Sequence, residues 1–487
     1  MTALVPAAPA QVRPASALPS APWLTGLLIY ATLLFAPQTL NDGDTYWHLA
    51  AGEWMLAHGE VLHADPFSYT FAGKPWTTHE WLSEIVMGLV FRAGGWGGVM
   101  ALTAAAAALA GALVAGYLRP RLGLVPLTLT LLLGLACLAP GLLARPHVLA
   151  FPVLAAWAIA LLRARDEGRA PSLLLLPLMA VWANLHGSFV LGLALIGPFA
   201  LEALIEGRAR PWPVVRAWGL FGLGALAAAA LTPHGPQGLI FPFQLMGMAT
   251  APTIDEWRSL DFSDPQPLEF GLMALLLVGF SRGLKVPPLR LILLLGLLHM
   301  SLQHGRHAMV LGLLAPLLLA DPLRQVTTAA EPLAPPSSLS IGLVIALIAG
   351  LTAGRMAAQP ARIDALTTPA TALAAVPADI ARQPVLNEYG FGGYLIFAGL
   401  RPFIDGRADM YGDDFIRTYD RAVSGNPEAL AETLERHGVR WTILHPGNRA
   451  VPVLDRTPGW RRLHADAYAV VHVKDAPGAM ALRGAVE

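Results

Sequence analysis

The chain has 487 residues, 55% of them hydrophobic and only 14% charged, with a mean hydropathy of +0.53. Soluble domains carry about 25% charged residues, so this composition excludes an ordinary soluble protein and indicates an integral membrane protein. The 33 basic and 33 acidic residues cancel, which removes the electrostatic argument for nucleic acid, and the single cysteine, Cys137, excludes an intramolecular disulfide and a cysteine-based zinc site.

Residues 1–21 are Pro/Ala-rich with one charge, Arg13, and read as a disordered tail. The apolar run 23–40 is longer than a signal-peptide core and reads as a retained anchor. A span needs roughly 20 apolar residues. By that measure spans are expected near 22–40, 96–117, 124–142, 148–162, 171–185, 188–205, 217–232, 267–281, 288–302, 307–320 and 339–356, about eleven in all. Segment 77–91 holds His79, Glu80, Ser83 and Glu84, and it reads as a helix lying on the membrane surface.

Charge counting agrees. With the N-terminus inside, the inner loops hold Arg119 and Arg121, then Arg163, Arg165 and Arg169, then Arg208, Arg210 and Arg216, then Arg282, Lys285 and Arg290, and Arg324. The outer loops before the last span hold only Lys74, Arg92, Arg145, Arg258 and Arg306, which is the positive-inside pattern. Every histidine then falls at or beyond the outer face. In a bacterium this is a multi-pass inner-membrane protein with a cytoplasmic N-terminus and a periplasmic C-terminal domain. The membrane unit covers 22–356 with a first outer loop at 41–95, and an inner linker lies at 321–338. Residues 357–487 alternate strand-like runs (384–389, 441–444, 468–473) with helical ones (415–422, 427–436), as in a small α/β domain.

The first outer loop opens with Asn41-Asp42-Gly43-Asp44-Thr45-Tyr46-Trp47-His48. Carboxylates at this depth are costly unless they face a cavity, an ion or a partner. Asp42 or Asp44 caps the helix expected over 46–57, with Tyr46, Leu49, Ala50 and Trp54 on one side, or the pair does chemistry. The chemical reading has two forms. The pair takes a proton from an acceptor hydroxyl, or it holds a divalent cation, Mg or Mn, through oxygen ligands. Asp65-Pro66 and Lys74-Pro75 mark turns, and Tyr69 and Trp76 read as interface anchors or sugar-stacking rings. Thr77 and Glu80 fit a capping box, and Glu84 lies one turn beyond Glu80; these two carboxylates and His79 are expected to share one polar site with the Asp pair, and His48 is a candidate substrate contact.

Farther along, Arg145-Pro146-His147 and His304-Gly305-Arg306-His307 are outer turns, and their arginines match the geometry of a lipid phosphate. His304 and His307 are spaced to share a metal, but no third ligand accompanies them, so they read as hydrogen-bonding or phosphate-contacting groups. Asn184 and His186, at the turn between two spans, read as partners for helix-end backbone. The outer segment 232–267 reads as one long loop, with Glu256 facing the same cavity as the other outer polar groups. In the C-terminal domain, Gly392-Gly393-Tyr394 reads as a tight turn. Asp405, Arg407 and Asp409 read as a salt-bridge knot or, alternatively, as acceptor contacts.

These features together resemble the GT-C class of membrane glycosyltransferases, which includes protein mannosyltransferase-like, aminoarabinose-transferase-like and oligosaccharyltransferase families. The resemblance rests on Asp42-Gly43-Asp44 after the first span, the Tyr46-Trp47-His48 helix, the 77–91 surface helix, the Arg145-Pro146 turn and the outer C-terminal domain. It implies an α-helical polytopic membrane protein that moves a sugar from a polyprenyl-phosphate donor to a lipid, glycan or protein acceptor. It also implies that Asp42 or Asp44 is the general base or a metal ligand. The Trp-Trp-Asp motif of oligosaccharyltransferases is absent, which argues against protein N-glycosylation. No nucleotide-binding glycine loop appears on the inner face, as expected if the donor arrives lipid-linked. Attack opposite the phosphate predicts inversion at the sugar carbon. The competing readings are a transporter, which would need charges within spans and repeat symmetry, a polysaccharide polymerase or ligase of another fold, and a non-catalytic envelope scaffold.

Overall fold

The computed structural model describes residues 20–250, 257–328, 330 and 336–475. The expected tail over residues 1–19, Glu256 with its Thr253–Glu256 neighbourhood, and parts of the 321–338 linker lie outside the described residues.

Each run expected to span the membrane is helical. The first is α1 (Ala21–Leu34), after which α2 (Asp44–His58) lies in the first loop and α3 (Trp81–Leu118) follows. Next come α4 (Leu124–Leu138), α5 (Pro146–Asp166), α6 (Leu176–Leu185), α7 (Phe189–Glu206) and α8 (Pro211–Ala229). The short α9 (Gln237–Met246) precedes α10 (Pro267–Arg282), α11 (Pro288–Gln303), α12 (Ala308–Val326) and α13 (Ser338–Ala357). Proline in the first turn sets the start of α5, α8, α10 and α11, where its missing N–H costs nothing. Among the described residues, 7 helices are long and apolar enough to cross a membrane by length and composition. The chain is a polytopic membrane protein whose spanning helices share one continuous apolar core.

Several expectations about the first loop are corrected. The surface helix begins at Trp81, not Thr77, and runs into the next span as one helix broken at Gly95. There φ is +57° and ψ −149°, a backbone that a residue with a Cβ would adopt only under strain, so the chain turns without leaving the helix pair. The capping box of Thr77 and Glu80 does not form; Glu80 is the N-cap residue and makes no side-chain cap bond. Helix α2 is not amphipathic in use. Tyr46, Trp47, His48, Leu49, Ala51 and Met55 are all buried, because α3 covers one side and the C-terminal unit the other. Segment 232–267 contains α9 and is not one loop.

The C-terminal unit holds α14 (Ala370–Ala374), α15 (Ala378–Ala381), β1 (Val385–Asn387), α16 (Gly392–Phe397), α17 (Ala408–Val423), α18 (Pro427–Arg436), β2 (Trp441–Leu444), α19 (Val451–Leu454), β3 (Trp460–Ala465) and β4 (Val470–Lys474). The sheet order is β1-β2-β4-β3, with β1 and β2 parallel and the other pairs antiparallel. Alternate residues feed two cores. Val385, Trp441, Ile443, Val471 and Val473 meet Phe391 and Leu395, whereas Leu386, Leu444 and Val470 meet the α17–α18 side. The edge strand β3 was not expected; its Arg461 and Arg462 are exposed, as an edge requires.

Gly392 and Gly393 start α16; they do not form a turn. A Cβ on Gly393 would collide with the Gly43 carbonyl oxygen, and one on Gly43 would come within 2.5 Å of the Gly390 carbonyl. Glycine at both places lets the C-terminal unit sit directly on the start of α2.

At the opposite end of the bundle, Arg290 is buried and donates to Glu202 at 3.2 Å and to Asp166 at 3.3 Å. Arg165 pairs with Glu202 at 2.7 Å and Arg121 with Asp321 at 3.1 Å. The 21 residues of α5 separate Arg145 at one end from this network at the other, about 31 Å at 1.5 Å per residue.

Candidate functional site

Asp42, Asp44 and Arg145 meet where α2 and α5 begin. The Asp44 N–H donates to Asp42 Oδ1 at 2.8 Å, which turns both carboxylates the same way. Thr45 donates to the Ala144 carbonyl at 3.0 Å and ties α2 to the turn before α5. Arg145 is extended at the N-cap of α5, and its guanidinium pairs with Asp42 Oδ2 at 3.2 Å and with Asp44 Oδ2. Trp47 Nε1 donates to Asp44 Oδ1 at 3.0 Å. One guanidinium therefore supplies the positive charge between the two carboxylates. Among the described residues, no set of three His, Cys, Asp or Glu side chains is arranged to hold a metal.

The second carboxylate group lies deeper. His48 Nδ1 lies 3.1 Å from Glu84 Oε1, and its Nε2 lies 3.8 Å from Glu80 Oε2. Glu80 Oε1 is also 3.3 Å from His186 Nε2 and 3.7 Å from His79 Nε2. Three histidines from α2, the α6–α7 turn and the residue before the N-cap thus converge on Glu80. Burial holds His48 and His186 well below the usual imidazole value and lowers His79 too, so these rings are neutral. His186 has a second task, because its Nδ1 accepts from the Ser188 N–H. Asn184 does what the sequence suggested: it donates to the Ala180 and Leu231 carbonyls and accepts from Trp81 Nε1.

Next to Arg145 a cavity of about 280 Å³ is lined by Arg145, His147, Arg258 and Arg306, by the acidic Asp261, and by apolar residues that include Leu143, Leu268 and Met309. Arg306 also stacks on Trp257, 4.7 Å from the ring centre. His147 Nε2 bonds the Gly141 carbonyl at 2.7 Å. His304 Nδ1 bonds the Trp257 carbonyl at 2.6 Å and His307 Nδ1 lies 3.3 Å from the Met300 carbonyl, so both rings meet backbone.

The C-terminal unit closes the site. Arg407 is fully buried; it binds Asp405 at 2.7 Å and Asp65 of the first loop at 2.7 Å, and Tyr411 donates to Asp405. The knot expected of Asp405 and Arg407 forms, with an added member from the first loop. Tyr69 donates to the Val385 carbonyl, and Trp76 is buried against Arg407, so neither ring is an interface anchor. Burial raises the Asp409 carboxyl, with the charges of His79 and Arg407 opposing. Arg258 was not foreseen as a lining residue of the Arg145 cavity. Outer-face charge counting contained Arg258, but nothing in the chain paired it with Arg145.

The fold is that of the GT-C membrane glycosyltransferases. Among solved structures, the chain is similar to the oligosaccharyltransferase of Archaeoglobus fulgidus in the apo form, with TM-score 0.53 and 12% identity over 87% of this chain and 69% of that one. The same archaeal protein, AglB, in complex with an inhibitory peptide and a dolichol-phosphate matches at TM-score 0.51, with the same identity and coverage. ArnT from Cupriavidus metallidurans, bound to undecaprenyl phosphate, aligns over 93% of this chain at 13% identity, but its TM-score of 0.36 is too low to carry weight. No family model matches the chain, and no curated protein matches it.

Proposed function

We propose that this protein is a membrane glycosyltransferase that moves a sugar from a polyprenyl-phosphate donor to an acceptor hydroxyl on the outer, periplasmic face, with inversion at the sugar carbon. The observation that carries this reading is the cavity whose lining combines Arg145, Arg258 and Arg306 with apolar side chains such as Leu143, Leu268 and Met309. Guanidinium groups suit a phosphate that gains charge as the sugar leaves, and the apolar lining suits the start of a prenyl chain. Asp42 and Asp44 of the first loop pair with Arg145, which lines that cavity, and a carboxylate there suits removal of an acceptor proton. The dolichol-phosphate held by the archaeal enzyme of the same fold supports a lipid phosphate as the ligand class.

The test is a structure of the protein in nanodiscs with undecaprenyl phosphate, together with binding to Arg258→Ala and Arg306→Ala variants. The expected head group lies between Arg145 and Arg306, and each variant weakens binding about tenfold or more, as loss of a charged hydrogen bond predicts. A head group bound far from Asp42, Asp44 and these arginines overturns the reading.

A further inference from the structure

A second cavity lies at the other end of the bundle, which charge counting places inside. Its volume is about 330 Å³, and it opens between the α10–α11 turn and the end of α12. Arg165, Lys285 and Arg290 line it together with Asp321, Gln325 and Pro322. Three cations thus share the lining with one carboxylate.

Arg290 is fixed in place but keeps a donor unspent. It is 3% exposed, its Nε donates to Glu202 and its Nη2 to Asp166. Its Nη1 makes no hydrogen bond among the described residues and lies 4.0 Å from Asp321 Oδ2. Asp321 Oδ1 is taken by Arg121 at 3.1 Å. Arg165 is engaged by Glu202, Asp166 and Glu206, so it adds positive potential rather than a donor. Lys285 is exposed and pairs with no carboxylate among the described residues, and the exposed Gln325 amide makes no hydrogen bond among them. A donor already held by its neighbours binds an anion with little further loss of side-chain freedom.

The surroundings point to a lipid as the source of that anion. Helix α10 exposes Leu277 and Phe280 before the turn, and α11 exposes Leu291 and Ile292 after it. These apolar side chains suit acyl chains beside the cavity.

We propose that this cavity binds the phosphate of an anionic membrane phospholipid, with Arg290 Nη1, Lys285 and the Gln325 amide as its donors. Basic pockets between membrane helices suit acidic lipid head groups. Asp321 opposes excess negative charge, so a singly charged phosphodiester fits better than a doubly charged free phosphate. The bound lipid ties the α10–α11 turn and α11 to α12, and it stabilises the folded bundle by mass action.

The experiment uses the full chain, purified in detergent and stripped of lipid. It is titrated with phosphatidylglycerol, phosphatidylcholine or inorganic phosphate. Native mass spectrometry counts bound lipid, and the midpoint of thermal unfolding is followed in parallel. Phosphatidylglycerol is expected to bind and raise the midpoint, and phosphatidylcholine is not. Lys285→Gln leaves the Arg290 ion pairs in place and is expected to weaken phosphatidylglycerol binding about fivefold, with a larger loss in Lys285→Glu. Added salt weakens binding to the wild type more than to Lys285→Gln. Arg306→Ala, in the cavity beside Arg145, leaves phosphatidylglycerol binding unchanged. Equal affinity in wild type and Lys285→Glu overturns the proposal, as does phosphatidylcholine binding as tightly as phosphatidylglycerol. A midpoint shift reproduced in full by inorganic phosphate assigns the cavity to a soluble anion and overturns the lipid. Phosphatidylglycerol binding lost in Arg306→Ala and kept in Lys285→Glu moves the lipid to the other cavity.

Discussion

Arg407 of the C-terminal unit donates to Asp65 of the first loop at 2.7 Å, and both side chains are completely excluded from solvent. The pair joins two segments that lie far apart in sequence. Asp65 also caps its own loop by accepting from the Phe67 and Ser68 N–H groups. One carboxylate therefore folds the loop and fastens it to the unit above it.

Removing one partner strands a buried charge. Asp65→Asn or Arg407→Met is expected to cost about 3–5 kcal/mol, read as a lowered midpoint of thermal unfolding in detergent. The double variant should lose less than the sum of the two. Additive losses would show that the pair is not coupled.

Arg145→Lys keeps the charge but loses the fork that reaches both aspartates. Undecaprenyl phosphate affinity is expected to fall about tenfold, with a larger loss in Arg145→Ala. Equal binding by wild type and Arg145→Lys would argue against a bidentate role.

The neutral histidines make stability depend on pH. His48, His79 and His186 have folded-state values below 6.5. Above 6.5 both folded and unfolded states are neutral at these rings, and no penalty arises. As pH falls below that value the unfolded chain binds protons that the folded one refuses, so stability is lost. The unfolding midpoint should fall between pH 7 and 5, and His48→Gln with His186→Gln should flatten the slope, a fit readable by differential scanning fluorimetry at about half-unit pH steps. An unchanged slope in the double variant would place the titration elsewhere.

Gly43→Ala puts a methyl group within 2.5 Å of the Gly390 carbonyl. The C-terminal unit must then shift off α2, and overpacking of this kind costs about 1–3 kcal/mol. Limited proteolysis should cut faster between the two units than in the wild type. A native-like digestion pattern would mean that the contact yields without cost.

The amino-acid order was enough to indicate a polytopic membrane protein, the apolar runs that become helices and the strands β1, β2 and β4, although of about eleven expected spans only 7 described helices are long and apolar enough to cross. Those features depend on local runs: apolar stretches of span length, Pro at helix starts and alternation in the last hundred residues. It also singled out Asp42, Asp44, Glu80, Glu84 and Arg145 as polar groups on one face. Their partnerships were not legible. That Arg145 takes both aspartates, that His48 stands between Glu80 and Glu84, and that Asp65 belongs to Arg407 are contacts across 36 to 342 residues. A charge written in sequence has a sign and a depth but no neighbour. Its role as base, clamp or structural tie depends on what the packed chain brings within about 4 Å of it.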